Sequence, residues 1–425
     1  MNNSNTNEQA FEALIEKSLV GTTLEERQQS GDTDVDVQSP AVDKYYWGQP
    51  KDMSEKKYAF DMRRLWSFLR TTQQEVLDEY KGKNIETELP KQLSKAIDTF
   101  GIIDILRNGL DIDNIHITMF YPKPSPADSL LSKEKYNQNQ FSITRQQTFS
   151  VGNPGLEIDM VLYVNGLPLF TFEFKNPWTH QTAKYDGQKQ YKEERNPKET
   201  LLKFGRCLAH FTMDKNEVYF TTKLNLSKTF FMPFNQGLPD GQGAGNPVNA
   251  NGGYKTAYMW EKVLQKDTVA DIIMNYVLFD YGDTKKKKKV PHIMSNAKKL
   301  IFPRFHQLDV VSKLVADVEE FGVGKTYLIE HSAGSGKSNS ITWLAYKLID
   351  VCPATMKAVR AKALDSKLYD SVIVVTDRRL LDKQITDNIR AFGKSDRIMA
   401  HADTSGNLKK AIEDGKRIII TTIQK

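Results

Sequence analysis

Read for the spacing of its apolar positions, the chain changes character several times. Phe11, Leu14, Ile15 and Leu19 recur three or four residues apart, which predicts a helix from about Asn7 to Leu19. Tyr58 to Leu77 and Glu86 to Leu110 predict further helix in the same way. At Ile115-His-Ile-Thr-Met-Phe-Tyr121 the period shortens to two and β-branched residues enter, predicting a strand. More strands are predicted over Gln140 to Val151, Leu156 to Val164 and Leu167 to Phe174. A polar helix is then predicted to about Glu194, another over Lys198 to Phe211, and strands over Glu217 to Lys223 and Thr229 to Phe234. From Ile301 onward strand, loop and helix alternate, the pattern of a parallel α/β sheet.

Two stretches punctuate this pattern. Residues 237–253, GLPDGQGAGNPVNANGG, predict a flexible loop. Gly241, Gly243 and Gly245 suggest a phosphate loop, but no basic residue or helix start follows them. Lys285 to Lys289 is an unbroken lysine run that reads as a solvated linker. The resulting organisation is a first domain over 1–260, a linker over 261–300 and a second domain over 301–425. A length of 425 residues suits two or three domains. Two cysteines, Cys207 and Cys352, exclude a disulfide framework and fit a reducing cytoplasm. No apolar run approaches the roughly 18 residues of a membrane span. The first thirty residues lack the apolar centre of a secretory signal. The net charge of +6 is compatible with nucleic acid without requiring it.

The densest chemistry of the first half is in Glu157-Ile-Asp-Met-Val-Leu-Tyr-Val-Asn-Gly-Leu-Pro-Leu-Phe-Thr-Phe-Glu-Phe-Lys175. Asn165-Gly166 signals a hairpin. Alternation puts Leu169, Thr171, Glu173 and Lys175 on one face, with Phe170, Phe172 and Phe174 on the other. Asp159 joins the first face only if it stands opposite Glu173. That register requires an extra residue in the hairpin, predicted as a bulge at Gly166. Two carboxylates there suit a hard divalent cation, Mg²⁺ with several waters. The cation would activate water and offset charge on a phosphate under attack. Lys175 would position that water or stabilise the developing charge. A surface salt bridge is the plainer alternative, but a charged triplet on an apolar sheet is costly without a use. Glu8, Glu12 and Glu16 form a row on the first helix, read as a solvated face or as assistants to the metal site.

In the second half, Tyr327-Leu-Ile-Glu330 predicts a short strand, and His331-Ser-Ala-Gly-Ser-Gly-Lys-Ser338 follows before a helix. Strand, glycine-rich loop, Lys-Ser and helix make a phosphate-binding loop for ATP. Gly334, Ser335 and Gly336 bring backbone N–H groups to phosphate oxygens, and the helix start adds positive potential. Lys337 would reach the β- and γ-phosphates, while Ser338 would hold the nucleotide's Mg²⁺.

The Asp159, Glu173, Lys175 spacing resembles the PD-(D/E)xK nuclease superfamily in its RecB-like branch, with Ile158 in place of the proline before the aspartate. RecB-like members also carry a Gln-x-x-x-Tyr motif. Gln181 with Tyr185 has that spacing, and Gln188 with Tyr191 is one residue short; both remain candidates. The second half resembles superfamily 2 helicases. Gln307 then fits their adenine-reading glutamine, Thr376 and Arg378 their motif Ia, and Thr421, Thr422 and Gln424 their motif Ib along the DNA track.

A RecB-like nuclease followed by a first, truncated RecA-like domain resembles the N-terminal portion of the R (motor and restriction) subunit of type I restriction-modification enzymes. The resemblance implies ATP-driven translocation and Mg²⁺-dependent cleavage of unmodified double-stranded DNA in a bacterial cytoplasmic complex. Modification (methyltransferase) and specificity subunits would be the partners. The motif order also predicts the front of a longer protein, ending before the hydrolytic motif. The alternatives are a standalone DNA-repair nuclease-helicase and a non-catalytic docking fragment.

Overall fold

The computed structural model describes residues 3–31, 43–176, 180–241, 243–249, 252–281, 293–377, 385–386 and 398–423. They form two compact units, Met1–Lys123 with Glu134–Phe302, and Pro124–Lys133 with Pro303–Lys425.

The first unit is built on a mixed seven-stranded sheet. Its strands are β1 (Tyr46–Trp47), β2 (Phe141–Thr148), β3 (Glu157–Val164), β4 (Leu167–Phe174), β5 (Ala209–Met213), β6 (Val218–Thr221) and β7 (Met232–Pro233), paired in that order. The β1–β2 and β4–β5 pairs are parallel and the others antiparallel. Phe172 stacks on Phe211 and Phe170 meets it edge-on, and Phe211 also meets Phe220, Phe234 and Phe302. This aromatic layer backs one sheet face. On the other, Tyr191, Ala183 and Leu202 pack in one core with Val161 and Tyr163. Helix α1 (Asn3–Val20) sets its Phe11 ring against Phe174 at 5.5 Å and Trp260 at 5.9 Å. The short α2 (Leu24–Ser30) follows with a capping box at Thr23. Helices α3 (Met62–Asp78) and α4 (Ile85–Phe100) bury Leu65, Phe68, Leu89 and Leu93.

Three predicted features change. Lys198 to Phe211 is not a helix: Thr200–Leu202 makes one tight turn and Ala209–Met213 is β5. Helix-forming residues there yield to a free strand edge, because β5 pairs along β4 from Phe170 to Phe174. The stretch 261–300 is not simply a linker. Helical segments from Met259 to Tyr276 bury Trp260, Val263, Val269, Ile273 and Tyr276, and Leu278–Asp280 pairs with Lys299–Ile301. The lysine run 285–289 lies outside the described residues. The predicted bulge exists but sits elsewhere. Asn165 (φ 50°) and Gly166 (φ 80°) make a strict two-residue turn, and the register shifts at Leu162/Tyr163, opposite the extra Leu169.

The second unit has a parallel three-stranded sheet, β8 (Val372–Thr376), β9 (Met399–Ala402) and β10 (Ile418–Thr422), with β10 in the middle. Helices α6 (Phe305–Phe321), α7 (Lys337–Leu348) and α8 (Ser405–Glu413) belong to it, and α5 (Gln188–Glu193) belongs to the first unit. Tyr327 to Glu330, predicted as a strand, forms no ladder, and Leu328 is 96% exposed. A parallel strand needs cover on both faces, and β8 itself exposes Ile373 and Val375.

Candidate functional site

The register downstream of the bulge puts Met160 opposite Phe172, so Asp159 stands opposite Glu173 on the next strand. Gly166 makes this possible at the far end of the hairpin. Its φ of 80° suits glycine, and an added Cβ would stand 2.5 Å from the Asp61 carbonyl oxygen.

Glu173 is fully buried. Its Oε1 accepts a 2.6 Å hydrogen bond from Arg195 Nε, itself buried, while Oε2 has no hydrogen-bond partner. Asp159 is half-buried, and its Oδ2 accepts from the Phe174 backbone N–H at 2.7 Å. Burial, reinforced by the Asp159 charge, pushes the Glu173 carboxyl up to about 8. Burial also raises the Asp159 carboxyl, against the pull of Lys175. Lys175 is buried too. Its Nζ donates to the Phe174 carbonyl at 2.6 Å and to Glu8 Oε1 of α1 at 3.2 Å. Burial lowers the lysine pKa, but Asp159, Glu173 and Glu8 outweigh it and the net shift is upward, so the ammonium stays charged.

The three predicted residues therefore converge. An orphaned buried carboxylate oxygen beside a second carboxylate suits a hard cation that keeps most of its waters. Among the described residues no group of three or more His, Cys, Asp or Glu forms a complete ligand set. Any cation would rest on Asp159 and Glu173 with water completing its shell.

The two Gln/Tyr candidates separate. Gln181 is exposed and Tyr185 is 69% exposed. Tyr191 on α5 is buried, and its hydroxyl shares a 2.8 Å hydrogen bond with Thr171, which lies on the face carrying Glu173. Gln188 stays half-buried, accepting from Lys192 Nζ at 3.5 Å. Thr171 also meets His210 Nδ1 at 2.8 Å, and burial holds that imidazole neutral, down to about 3. Sequence reasoning placed Thr171 on this face but missed Arg195 and His210. Neither carries a motif, and only the β4–β5 pairing and the Arg195 hydrogen bond bring them near Glu173.

In the second unit, Gly336 (φ 86°) caps α7, which begins at Lys337. Lys337 Nζ donates to the carbonyls of His331 at 2.7 Å and Ser332 at 3.1 Å, both within the loop. Gln307 on α6 is buried. Its Nε2 donates to the carbonyls of Ser335 (3.3 Å) and Gly336 (3.0 Å), and its Oε1 accepts from Arg304 N. The predicted adenine reader therefore holds the loop in this structure. Gly334 (φ 75°) is exposed, Ser335 buried, and Ser338 stands in the first turn of α7. Thr376, Thr421 and Thr422 gather at the carboxyl ends of β8 and β10 but are buried, and Thr421 Oγ1 donates to the Ala402 carbonyl at 3.1 Å. Arg378 and Gln424 lie outside the described residues.

Residues 53–229 match the family described as type I restriction enzyme R protein N terminus, and residues 306–425 match the SWI2/SNF2 ATPase family. Two putative type I restriction enzyme endonuclease subunits of Methanocaldococcus jannaschii are similar to the chain. MjaVIIIP is 22% identical over 324 residues, covering 74% of this chain, and MjaIXP is 24% identical over 330 residues, covering 70%. The chain spans 27% of the length of each. The two matched segments, in this order, and the two similar subunits make the chain similar to the N-terminal portion of type I restriction enzyme R subunits.

Proposed function

We propose that the first unit is a Mg²⁺-dependent endonuclease of the RecB-like PD-(D/E)xK type. The second would be the first RecA-like domain of an ATP-driven DNA translocase. Together they would serve as the front of an R subunit acting on unmodified double-stranded DNA, beside modification and specificity subunits in the cytoplasm. One observation carries this reading: Asp159, Glu173 and Lys175 meet on one sheet face, with Glu173 Oε2 buried and unpartnered.

Asp159 and Glu173 would hold the Mg²⁺, which supplies charge stabilisation at the phosphate and a more acidic water. Arg195 fixes one oxygen of Glu173 and leaves the other for the cation. Lys175, kept charged by its acidic neighbours, offers its ammonium to the scissile phosphate as negative charge grows there. In the second unit, Lys337 would exchange the His331 and Ser332 carbonyls for ATP phosphates, and Ser338 would face the nucleotide's Mg²⁺. Thr376, Thr421 and Thr422, buried at the carboxyl ends of β8 and β10, would support the strand ends beside the DNA track.

The test uses the full-length subunit assembled with its partner subunits on unmethylated plasmid with ATP and Mg²⁺. Lys175→Ala should abolish cutting while ATP consumption continues. Persistence of both activities would reduce the triplet to a salt bridge.

A further inference from the structure

The N-terminal helix precedes the stretch matched to the R protein family, yet two of its carboxylates reach the candidate nuclease site. Glu8 contacts Lys175, and Glu12 is close enough to Asp159 to feel its charge. Glu12 is itself fully buried, with both oxygens taken. Oε2 accepts from Arg145 Nε at 3.1 Å, and Oε1 accepts from Gln146 Nε2 at 2.9 Å. Arg145 is a buried fork. Its Nη1 also donates to Glu16 at 2.9 Å and to Glu25 at 3.0 Å, and its Nη2 donates to the Gln9 carbonyl at 3.4 Å. One guanidinium thus gathers α1 and α2 onto β2.

Gln146 is the unusual member. It adopts a left-handed backbone at φ 49°, which a non-glycine residue takes only at a cost. Its neighbours pair as Arg145 with Met160 and Gln147 with Ile158, so Gln146 stands across from Asp159 itself. The ladder breaks at the one position facing the candidate metal-binding aspartate, and the side chain freed there goes to Glu12.

We propose that Arg145 and Gln146 are positioning residues of the nuclease site, seating the N-terminal helix as its outer wall so that Glu12 is held beside Asp159 and Glu8 beside Lys175. The proposal rests on the nuclease reading. Glu12 has no oxygen free of a protein partner, so it acts on the cation through its negative charge. Glu8 acts by orienting Lys175. Partners that orient groups around a metal typically change its affinity by about 10–100-fold when removed.

The test is Mn²⁺ titration calorimetry on the full-length protein, without DNA or nucleotide, combined with hydrogen exchange over residues 8–19. Gln146→Gly keeps the left-handed backbone at no steric cost and removes the side chain with its amide. Arg145→Lys keeps the charge and removes the fork. Each should weaken Mn²⁺ binding about tenfold and speed exchange in α1, while the melting midpoint of Gln146→Gly is not lowered. Wild-type Mn²⁺ affinity in both variants would overturn the proposal. Asp159→Asn separates the two levels. If it also binds Mn²⁺ like wild type, the nuclease assignment falls and takes this proposal with it.

Discussion

Glu173 is a buried carboxylate with one oxygen on an arginine and the other without a hydrogen-bond partner. Its proton is held to about pH 8, whereas an unfolded glutamate releases it near 4.5. Between those values the folded chain binds a proton that the unfolded chain does not. Stability without a divalent cation is therefore greatest below this window and is lost as pH rises through it. Glu12 and Asp61, pushed up to about 7 mainly by burial, act with the same sign. In EDTA the melting midpoint should fall between pH 5 and pH 8.5, and Glu173→Gln should flatten part of that slope. A midpoint that rises over the same range would contradict the burial argument. Arg195 belongs to the same account, since its guanidinium keeps the buried carboxylate from standing alone.

At the scale of elements, the loop before α7 enters its helix through backbone that suits glycine. Gly336 combines a φ of 86° with a Gln307 amide where a Cβ would stand. Gly336→Ala should lower affinity for a fluorescent ATP analogue at least tenfold, because either the loop or the α6 contact must move; unchanged affinity would show that the observed loop is not the binding conformation. This loop was legible because glycine, lysine and serine carry their meaning in local order. The strand predicted before it does not form, since Tyr327 to Glu330 would need partners that local sequence does not describe. The hairpin divides in the same way. Asn165-Gly166 announces its turn, and the need to face Asp159 with Glu173 announces an extra residue. Nothing about Leu169 marks it as the site of the bulge: it is an ordinary buried leucine. The helix predicted over Lys198 to Phe211 failed for a related reason. Ala209–Met213 is a strand because β4 offers an edge in parallel register, a fact of three dimensions.

At the scale of the whole molecule, the two units have separate sheets and separate chemistry. Ligand binding stabilises the unit that holds the ligand. Calorimetry should resolve two transitions, with Mg·ATP raising one and Lys337→Ala abolishing that shift without moving the other. A single transition that ATP raises throughout would show the two to be thermodynamically one. The clamp on α1 also bears on how the chain is born. Glu12 leaves the ribosome 133 residues ahead of Arg145, and β1 precedes its partner β2 by roughly a hundred. With synthesis at about 5–20 residues per second, the first helix waits several seconds or more for the arginine that seats it. The carboxylates made first can thus reach their places only once β2 has been made, and a nascent chain interrupted before β2 has Glu8 and Glu12 but neither Asp159 nor Lys175 to set beside them.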